Sequence, residues 1–191
     1  MKHLFSLHLF VLVCAALMIP MSLEAQEVTL RLPLMSGGKA VDSIDVKFYY
    51  YPSWNKAEVD SYTYTGVNSG VLTLPASIEG EGVLYPLKEI RSRAFVNCTA
   101  LTGIILPSSI TSIYDFAFRD CNNLESVNWE DLTALEYIFS SAFLRSGLKR
   151  VMFPASLLQV STGAFGDCFQ LSEIDFGKSK LEYLQGNTFS G

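Results

Sequence analysis

The dipeptide Ala-Phe recurs along the second half of this 191-residue chain at nearly constant spacing. The copies are Ala94-Phe95, Ala117-Phe118, Ala142-Phe143 and Ala164-Phe165, followed by the variant Thr188-Phe189. Successive steps are 23, 25, 22 and 24 residues. A period of this length is typical of solenoids, in which each unit buries its apolar face only by stacking on its neighbours. The sequence therefore predicts a stack of coils whose exposed faces carry the function.

Apolar residues recur in phase with each Ala-Phe pair. In the first unit these positions are Leu87, Ile90, Leu101, Ile104 and Leu106. The Ile-x-Leu spacing that ends each unit is the two-residue alternation of a short β-strand. The Ala-Phe segment is too short for a long helix, so we predict about one helical turn, with Phe filling the space between coils. The predicted fold class is a β-rich α/β repeat solenoid with short helical turns.

The pattern over residues 87–109 resembles the BspA-type leucine-rich repeat. It reads Leu-x-x-Ile-x-x-x-Ala-Phe-x-x-Cys-x-x-Leu-x-x-Ile-x-Leu-Pro-Ser-Ser. The resemblance covers residues 71–191 and implies a leucine-rich-repeat solenoid of about five coils, the last one incomplete. It also implies a surface or secreted protein that acts in adhesion or in binding to host proteins. Because no strand follows Phe189, we expect a fragment or a chain with an exposed end.

Residues 26–70 show no repeat. Apolar residues alternate cleanly over 28–34 and over 44–50, which predicts two strands with one buried face each. A third strand is predicted to hold Val59, Tyr62 and Tyr64. Because a solenoid needs a unit that covers its first apolar layer, we interpret this region as a small β cap before the first coil.

Residues 1–25 have the layout of a cleaved signal peptide. Lys2 precedes an apolar run over 4–18, Pro20 ends the run, and Ala25 offers a small residue at the cleavage point. The alternative is a membrane anchor, but the run is short for a span of about 20 residues. A lipidated Cys14 is rejected because the preceding residue is not small. We therefore predict a secreted or cell-surface protein that does not insert into a membrane after cleavage.

Charge and histidine content exclude several classes of function. The net charge is −5, and it stays −5 without the signal peptide, which carries Lys2 and Glu24. An acidic chain without clustered basic residues argues against nucleic acid as a partner. His3 and His8 both lie in the signal peptide, so the mature chain lacks His-based catalytic triads and metal sites. We predict no enzymatic activity, no cofactor and no metal.

Three cysteines, Cys98, Cys121 and Cys168, share one repeat position. Cys98 and Cys121 lie on adjacent coils, within reach of a disulfide, whereas Cys168 is two coils from Cys121, about 10 Å away. We favour free, buried thiols that act as small hydrophobic groups over a disulfide or a metal site.

Asn97, Asp120 and Asp167 each precede one of these cysteines. In phase, their side chains could line up to bind a cation. Residues of this kind more often bond backbone N–H groups within a turn, and we favour that structural interpretation.

Two surfaces are candidates for binding. The first is a strand face of outward-pointing residues that successive coils stack into one patch suited to a protein ligand. Its predicted members are Ile105, Asn128, Arg150, Met152, Glu173 and Asp175. The second is the aromatic-rich β cap, where Trp54 in a predicted turn is the best exposed candidate for stacking on a sugar. The predicted function is non-catalytic protein binding; a glycan-binding module and a structural spacer are the alternatives, and the oligomeric state stays open.

Overall fold

The computed structural model describes residues 24–191, so nearly all of the predicted signal peptide lies outside the described residues. Fourteen strands dominate this part of the chain. They are β1 (Gln26–Ser36), β2 (Lys39–Tyr51), β3 (Lys56–Thr63), β4 (Gly70–Thr73), β5 (Ser77–Gly80), β6 (Val83–Ile90), β7 (Leu101–Ile105), β8 (Ser112–Ile113), β9 (Ser126–Val127), β10 (Tyr137–Ile138), β11 (Arg150–Met152), β12 (Gln159–Val160), β13 (Glu173–Asp175) and β14 (Tyr183–Leu184). Within residues 24–191 the helical elements are two 3-10 helices, Pro52–Trp54 and Trp129–Asp131.

The strands form one folded sheet and one small separate sheet. The order β14-β12-β10-β8-β6-β3-β2-β1-β4-β7-β9 runs up one side of the stack, across the amino-terminal strands and down the other side. Strand β3 pairs in parallel with β6, and β1 pairs antiparallel with β4, so the non-repeating strands join both sides. Strands β11 and β13 form the separate sheet. The coarse prediction of a β-rich, solenoid-like repeat fold is confirmed; the capping role and the division at residue 70 stay predictions.

A stack of aromatic rings runs through the centre of the coils. The Phe rings of the five repeats lie parallel, with centroids 5.3, 5.0, 5.3 and 5.6 Å apart. Tyr62 of β3 continues the stack over Phe95, with centroids 5.9 Å apart, and its hydroxyl donates to the Val96 carbonyl at 3.3 Å. Since parallel rings at this separation attract one another, the stack ties β3 to the first repeat.

The prediction of a helical turn at each Ala-Phe pair is wrong. These segments are chains of tight turns in which Arg93 and Asn97 of the first repeat have φ of 64° and 60°. Left-handed residues at this spacing interrupt a right-handed helix. The Phe95 N–H donates to the carbonyl of Ala117 on the next coil at 2.8 Å, so it is not available within its own segment. The turns therefore form a further hydrogen-bonded ladder between coils.

The phase shared by Asn97, Asp120 and Asp167 has a backbone cause. All three have positive φ, as does Arg145 at the equivalent position of the third repeat. Asn and Asp tolerate this region better than other non-Gly residues. These residues therefore serve the backbone conformation of the turn, but the predicted bonds to backbone N–H groups are wrong for Asp120, whose carboxylate bonds Arg145 and Arg119 instead.

The three repeat cysteines are free and buried, as predicted. The Cys121 thiol donates to the Phe95 carbonyl at 3.0 Å, and the Cys168 thiol donates to the Phe143 carbonyl at 3.1 Å. Burial raises the pKa of the Cys98 thiol to about 11. In two of the coils, the thiol of this column therefore bonds the carbonyl of the preceding Phe.

Three residues predicted for the apolar columns are exposed. Ile174, Phe176 and Leu184 are 38, 45 and 46% exposed, although their equivalents on earlier coils are buried. They lie on the last coil of the described chain, where no other described coil covers them. This coil therefore presents to solvent the apolar positions that form the core in the earlier coils.

Candidate functional site

The predicted strand-face patch is present but is not continuous. Ile105 pairs with Thr73, Arg150 pairs with Glu173, and Met152 lies opposite Asp175. The Arg150 and Glu173 side chains form an ion pair at 3.1 Å. Strands β9 and β11 are not paired, however, so the patch divides into two parts. We call this side of the stack, formed by β4, β7, β9, β11 and β13, the notch face.

Two extra residues cause the break. Leu135 lies eleven positions after Leu124, whereas the equivalent residues of the neighbouring repeats are nine positions apart. The chain accommodates them in the 3-10 helix Trp129–Asp131, which begins one residue after β9. The Trp129 ring is buried, and its indole N–H donates to the Arg150 carbonyl at 3.2 Å, where a regular ladder would use a backbone N–H. The 25-residue step in the Ala-Phe spacing was the sequence signal of this insertion.

The break opens a notch of about 290 Å³. It is lined by Glu125, Ser126, Val127, Asn128, Trp129, Glu130, Asp131, Arg150 and Met152. Three of the predicted patch residues, Asn128, Arg150 and Met152, therefore line it. Glu125 pairs with Lys149 at 2.6 Å and Arg150 pairs with Glu173, so the exposed Glu130 and the Asp131 carboxylate leave the notch acidic.

Asn128 lines the notch and also has a structural role there. Its Oδ1 accepts from the Leu106 N–H at 2.8 Å, and its Nδ2 donates to the Leu106 carbonyl at 3.0 Å. The same Nδ2 donates to the Asp131 carboxylate at 3.1 Å. Ile105 is 42% exposed, as the prediction requires.

Trp54 is the predicted candidate at the other end of the molecule. It is 65% exposed and ends the 3-10 helix, where Asn55 follows with φ of 46°. One side of its indole stacks on the Tyr51 ring, with centroids 5.1 Å apart. The Lys56 ammonium lies 5.2 Å from the Trp54 ring centroid. Packing on one side combined with high exposure leaves much of the indole in contact with solvent.

Next to Trp54 lies a group of paired charges at the junction of β3 and β6. The Lys56 ammonium bonds Glu58 at 2.7 Å and Glu89 at 2.8 Å. Arg91 bonds Asp60 at 2.8 Å and lies 3.5 Å from Glu58. The Glu58 side chain is only 8% exposed. We call these five residues the junction cluster.

Burial and pairing shift the pKa values of the two glutamates of this cluster in opposite directions. Burial acts to raise the pKa of Glu58, but hydrogen bonds from Lys56 and Glu89 outweigh it and hold that pKa below its ordinary value. Burial and the adjacent Glu58 raise the pKa of Glu89, although Lys56 opposes them. Burial also acts to lower the pKa of Lys56, and its two carboxylate partners raise it overall.

A cavity of about 420 Å³ lies over the junction cluster. All five cluster residues line it, together with Ser92 and Tyr114. The Tyr114 ring stacks on Phe139, with centroids 4.8 Å apart and an interplanar angle of 2°. Sequence reasoning missed this site except for Trp54, because Lys56 and Glu89 are brought together only by the pairing of the non-repeating β3 with β6.

Among residues 24–191, no three His, Cys, Asp or Glu side chains come close enough together to hold a metal ion. In the same part of the chain, no helix has the length and apolar character needed to cross a membrane.

The repeats place the chain in a known family. The family model for the BspA type leucine rich repeat region, in 6 copies, matches residues 81–191. This is more than half of the sequence, so the chain belongs to that family. A comparison with curated proteins gave no match.

Solved structures of bacterial leucine-rich repeat proteins are similar to this one. A leucine-rich repeat protein from T. pallidum is 25% identical with a TM-score of 0.65, over 75% of this chain and 63% of the other. This chain thus spans less than two thirds of that protein. One from Bacteroides capillosus is 28% identical with a TM-score of 0.59, over 68% and 92%. A leucine rich cell surface protein from Faecalibacterium prausnitzii, 19% identical over 85% and 52% with a TM-score of 0.54, shares the fold.

Proposed function

We propose that this chain is a secreted or cell-surface binding protein without catalytic activity, and that it binds a protein through the notch face. Membership of the leucine-rich repeat family and the similar fold of a cell-surface protein support this proposal. The apolar start of the sequence supports export through a cleaved signal peptide.

We choose this face because strands β9 and β11 are not hydrogen-bonded to each other. Successive coils of a solenoid continue one another's strand face, whereas the Trp129–Asp131 insertion interrupts this face and creates a recess in it. A concave site with a few fixed polar groups is a better binding site than a flat sheet surface. Met152 and Ile105 supply apolar contact beside the notch.

The charge of the notch suggests the chemistry of the partner. Glu130 and Asp131 project beside a concave surface whose one cation, Arg150, is already paired. A partner that inserts a Lys or Arg side chain would find complementary charge there. We therefore expect the ligand to present a basic side chain at the centre of its interface.

Surface-immobilised host extracellular proteins test the proposal. We expect at least one to bind, and Glu130→Arg to weaken binding about tenfold or more without lowering Tm. The matched control is Glu182→Arg. It makes the same charge reversal at an exposed site on the other side of the stack, next to strand β14. No binding, or equal loss in both variants, would contradict the proposal.

A further inference from the structure

A second binding site is built into the junction of β3 and β6. We propose that the cavity over the junction cluster, together with the Trp54 ring next to its lining residue Lys56, binds a neutral saccharide. This site differs from the notch in residues and chemistry, so the inference does not depend on the proposed protein ligand.

The junction cluster is poorly explained as a stability device. Glu58 is taken almost wholly out of water together with Lys56, and desolvation of such a pair can exceed the Coulombic gain. Apolar residues at these positions would join two strands at least as well. A cluster of partly buried charges that lines a cavity is instead characteristic of a binding site.

Aromatic stacks flank the charged centre on both sides. In strand order, β2 carries Tyr51, β3 and β6 carry the charges, and Tyr114 follows β8. At about 4.8 Å per strand, β2 and β8 lie about 14 Å apart. Trp54 stacks on Tyr51, and Tyr114 stacks on Phe139, so each outer ring is held by an aromatic neighbour. Amphipathic rings of this kind provide a flat apolar surface with a polar edge.

The hydrogen-bonding groups match the hydroxyls of a sugar. Carboxylates offer several acceptor positions, and Lys and Arg offer donors in excess of their ion-pair partners. Each hydroxyl can both donate and accept, so one ring can bond Glu89, Lys56 and Arg91 in turn. The cavity volume of about 420 Å³ falls within the usual range for small-molecule sites.

The charges of the site favour a neutral ligand. Two cations and three carboxylates already pair with one another, which leaves the cluster with one net negative charge. A sulfated or sialylated glycan would be repelled, and a ligand that needs a free ion-pair partner would have to break an existing pair.

Calorimetric titration of the purified protein with neutral and with anionic oligosaccharides tests the inference. Trp54→Ala removes the exposed ring, and Ser92→Trp fills the cavity while leaving every ion pair intact. We expect a neutral oligosaccharide to bind at millimolar concentration or below, and both variants to weaken binding about tenfold or more. Phe169→Ala, which removes an exposed aromatic ring elsewhere, and Glu130→Arg in the notch should leave binding unchanged.

Three results would overturn the inference. They are the absence of binding by any neutral oligosaccharide, binding by anionic glycans alone, and binding that persists in both Trp54→Ala and Ser92→Trp. Because Glu130→Arg affects only the notch, failure here leaves the proposed protein binding standing, and failure of protein binding leaves the saccharide site standing.

Discussion

The side-chain amide of Asn128 replaces a strand partner for Leu106. Its Oδ1 and Nδ2 bond the N–H and the carbonyl of Leu106 at 2.8 and 3.0 Å. Strand pairing can therefore end after Val127 while the backbone groups of Leu106, the residue that follows β7, keep their hydrogen-bond partners. One amide thus permits the insertion that forms the notch.

Replacement of this amide should destabilise the fold. Asn128→Asp removes the donor to the Leu106 carbonyl and places a carboxylate beside it, so we expect a loss of about 1–3 kcal/mol in the free energy of unfolding. Urea unfolding measures it. Asn123→Asp is the control, because Asn123 is exposed and makes one bond, to the Thr99 carbonyl. Equal effects of the two changes would show that Asn128 has no special role.

The ring stack should weaken toward its last member. Phe118 is fully buried between Phe95 and Phe143, so Phe118→Ala should cost about 3–5 kcal/mol. Phe189 is only partly buried, and Phe189→Ala should cost less than half as much. Thermal and urea unfolding of the two variants provide the comparison. A larger loss for Phe189→Ala would contradict the central position of the stack.

Gly147 should not tolerate a larger residue. It occupies the shortened segment of the third repeat, and an added Cβ would lie 2.2 Å from the Asn122 carbonyl oxygen. We expect Gly147→Ala to destabilise by about 1–3 kcal/mol. Gly186→Ala, which would meet no atom within 4 Å, should be neutral or stabilising by up to about 1 kcal/mol. Unfolding curves that coincide for the two variants would be inconsistent with the packing described.

The repeat thiols should be unreactive in the folded protein. Cys98, Cys121 and Cys168 are at most 9% exposed, and burial raises the pKa of Cys98 to about 11. Since the thiolate is the reactive form, a disulfide reagent should label these thiols slowly in native mature protein and label all three rapidly after unfolding. Native labelling at the rate of a free cysteine, or fewer than three thiols after unfolding without reductant, would contradict this.

Stability should depend on pH through Asp120. The hydrogen bond from Arg145 holds the pKa of Asp120 below its ordinary value of 3.8. The contribution is therefore present above that value and is lost as pH falls through the folded-state pKa. We expect Asp120→Asn, which keeps a residue suited to positive φ, to cost about 0.5–1 kcal/mol near neutral pH and nothing in strong acid. A difference that does not change with pH would argue against the ion pair.

The repeat positions could be predicted because each is specified several times over. Leu87, Ile90 and Phe95 have equivalents in every coil, and recurrence in phase identifies the core. The helical turn was mispredicted because composition alone does not show that alternate N–H groups bond the next coil. The recurrence of Asn or Asp before Cys was the available signal, since these residues favour positive φ.

The sites were less predictable because they lie where the repeat fails. The notch follows from two inserted residues around Trp129, which shift one coil out of register with its neighbour. The junction cluster depends on the register of β3 against β6, which places Glu58 beside Glu89 across 31 residues of sequence. No periodic pattern specifies that pairing.

Hydrogen–deuterium exchange with and without a bound protein ligand tests the proposed use of the notch face most directly. The account predicts slower exchange on binding in residues 126–131 and 150–152, which line the notch, and little change in the short strands β10 and β12. Protection confined to β10 and β12, or absent from both notch segments in the presence of saturating ligand, would contradict it.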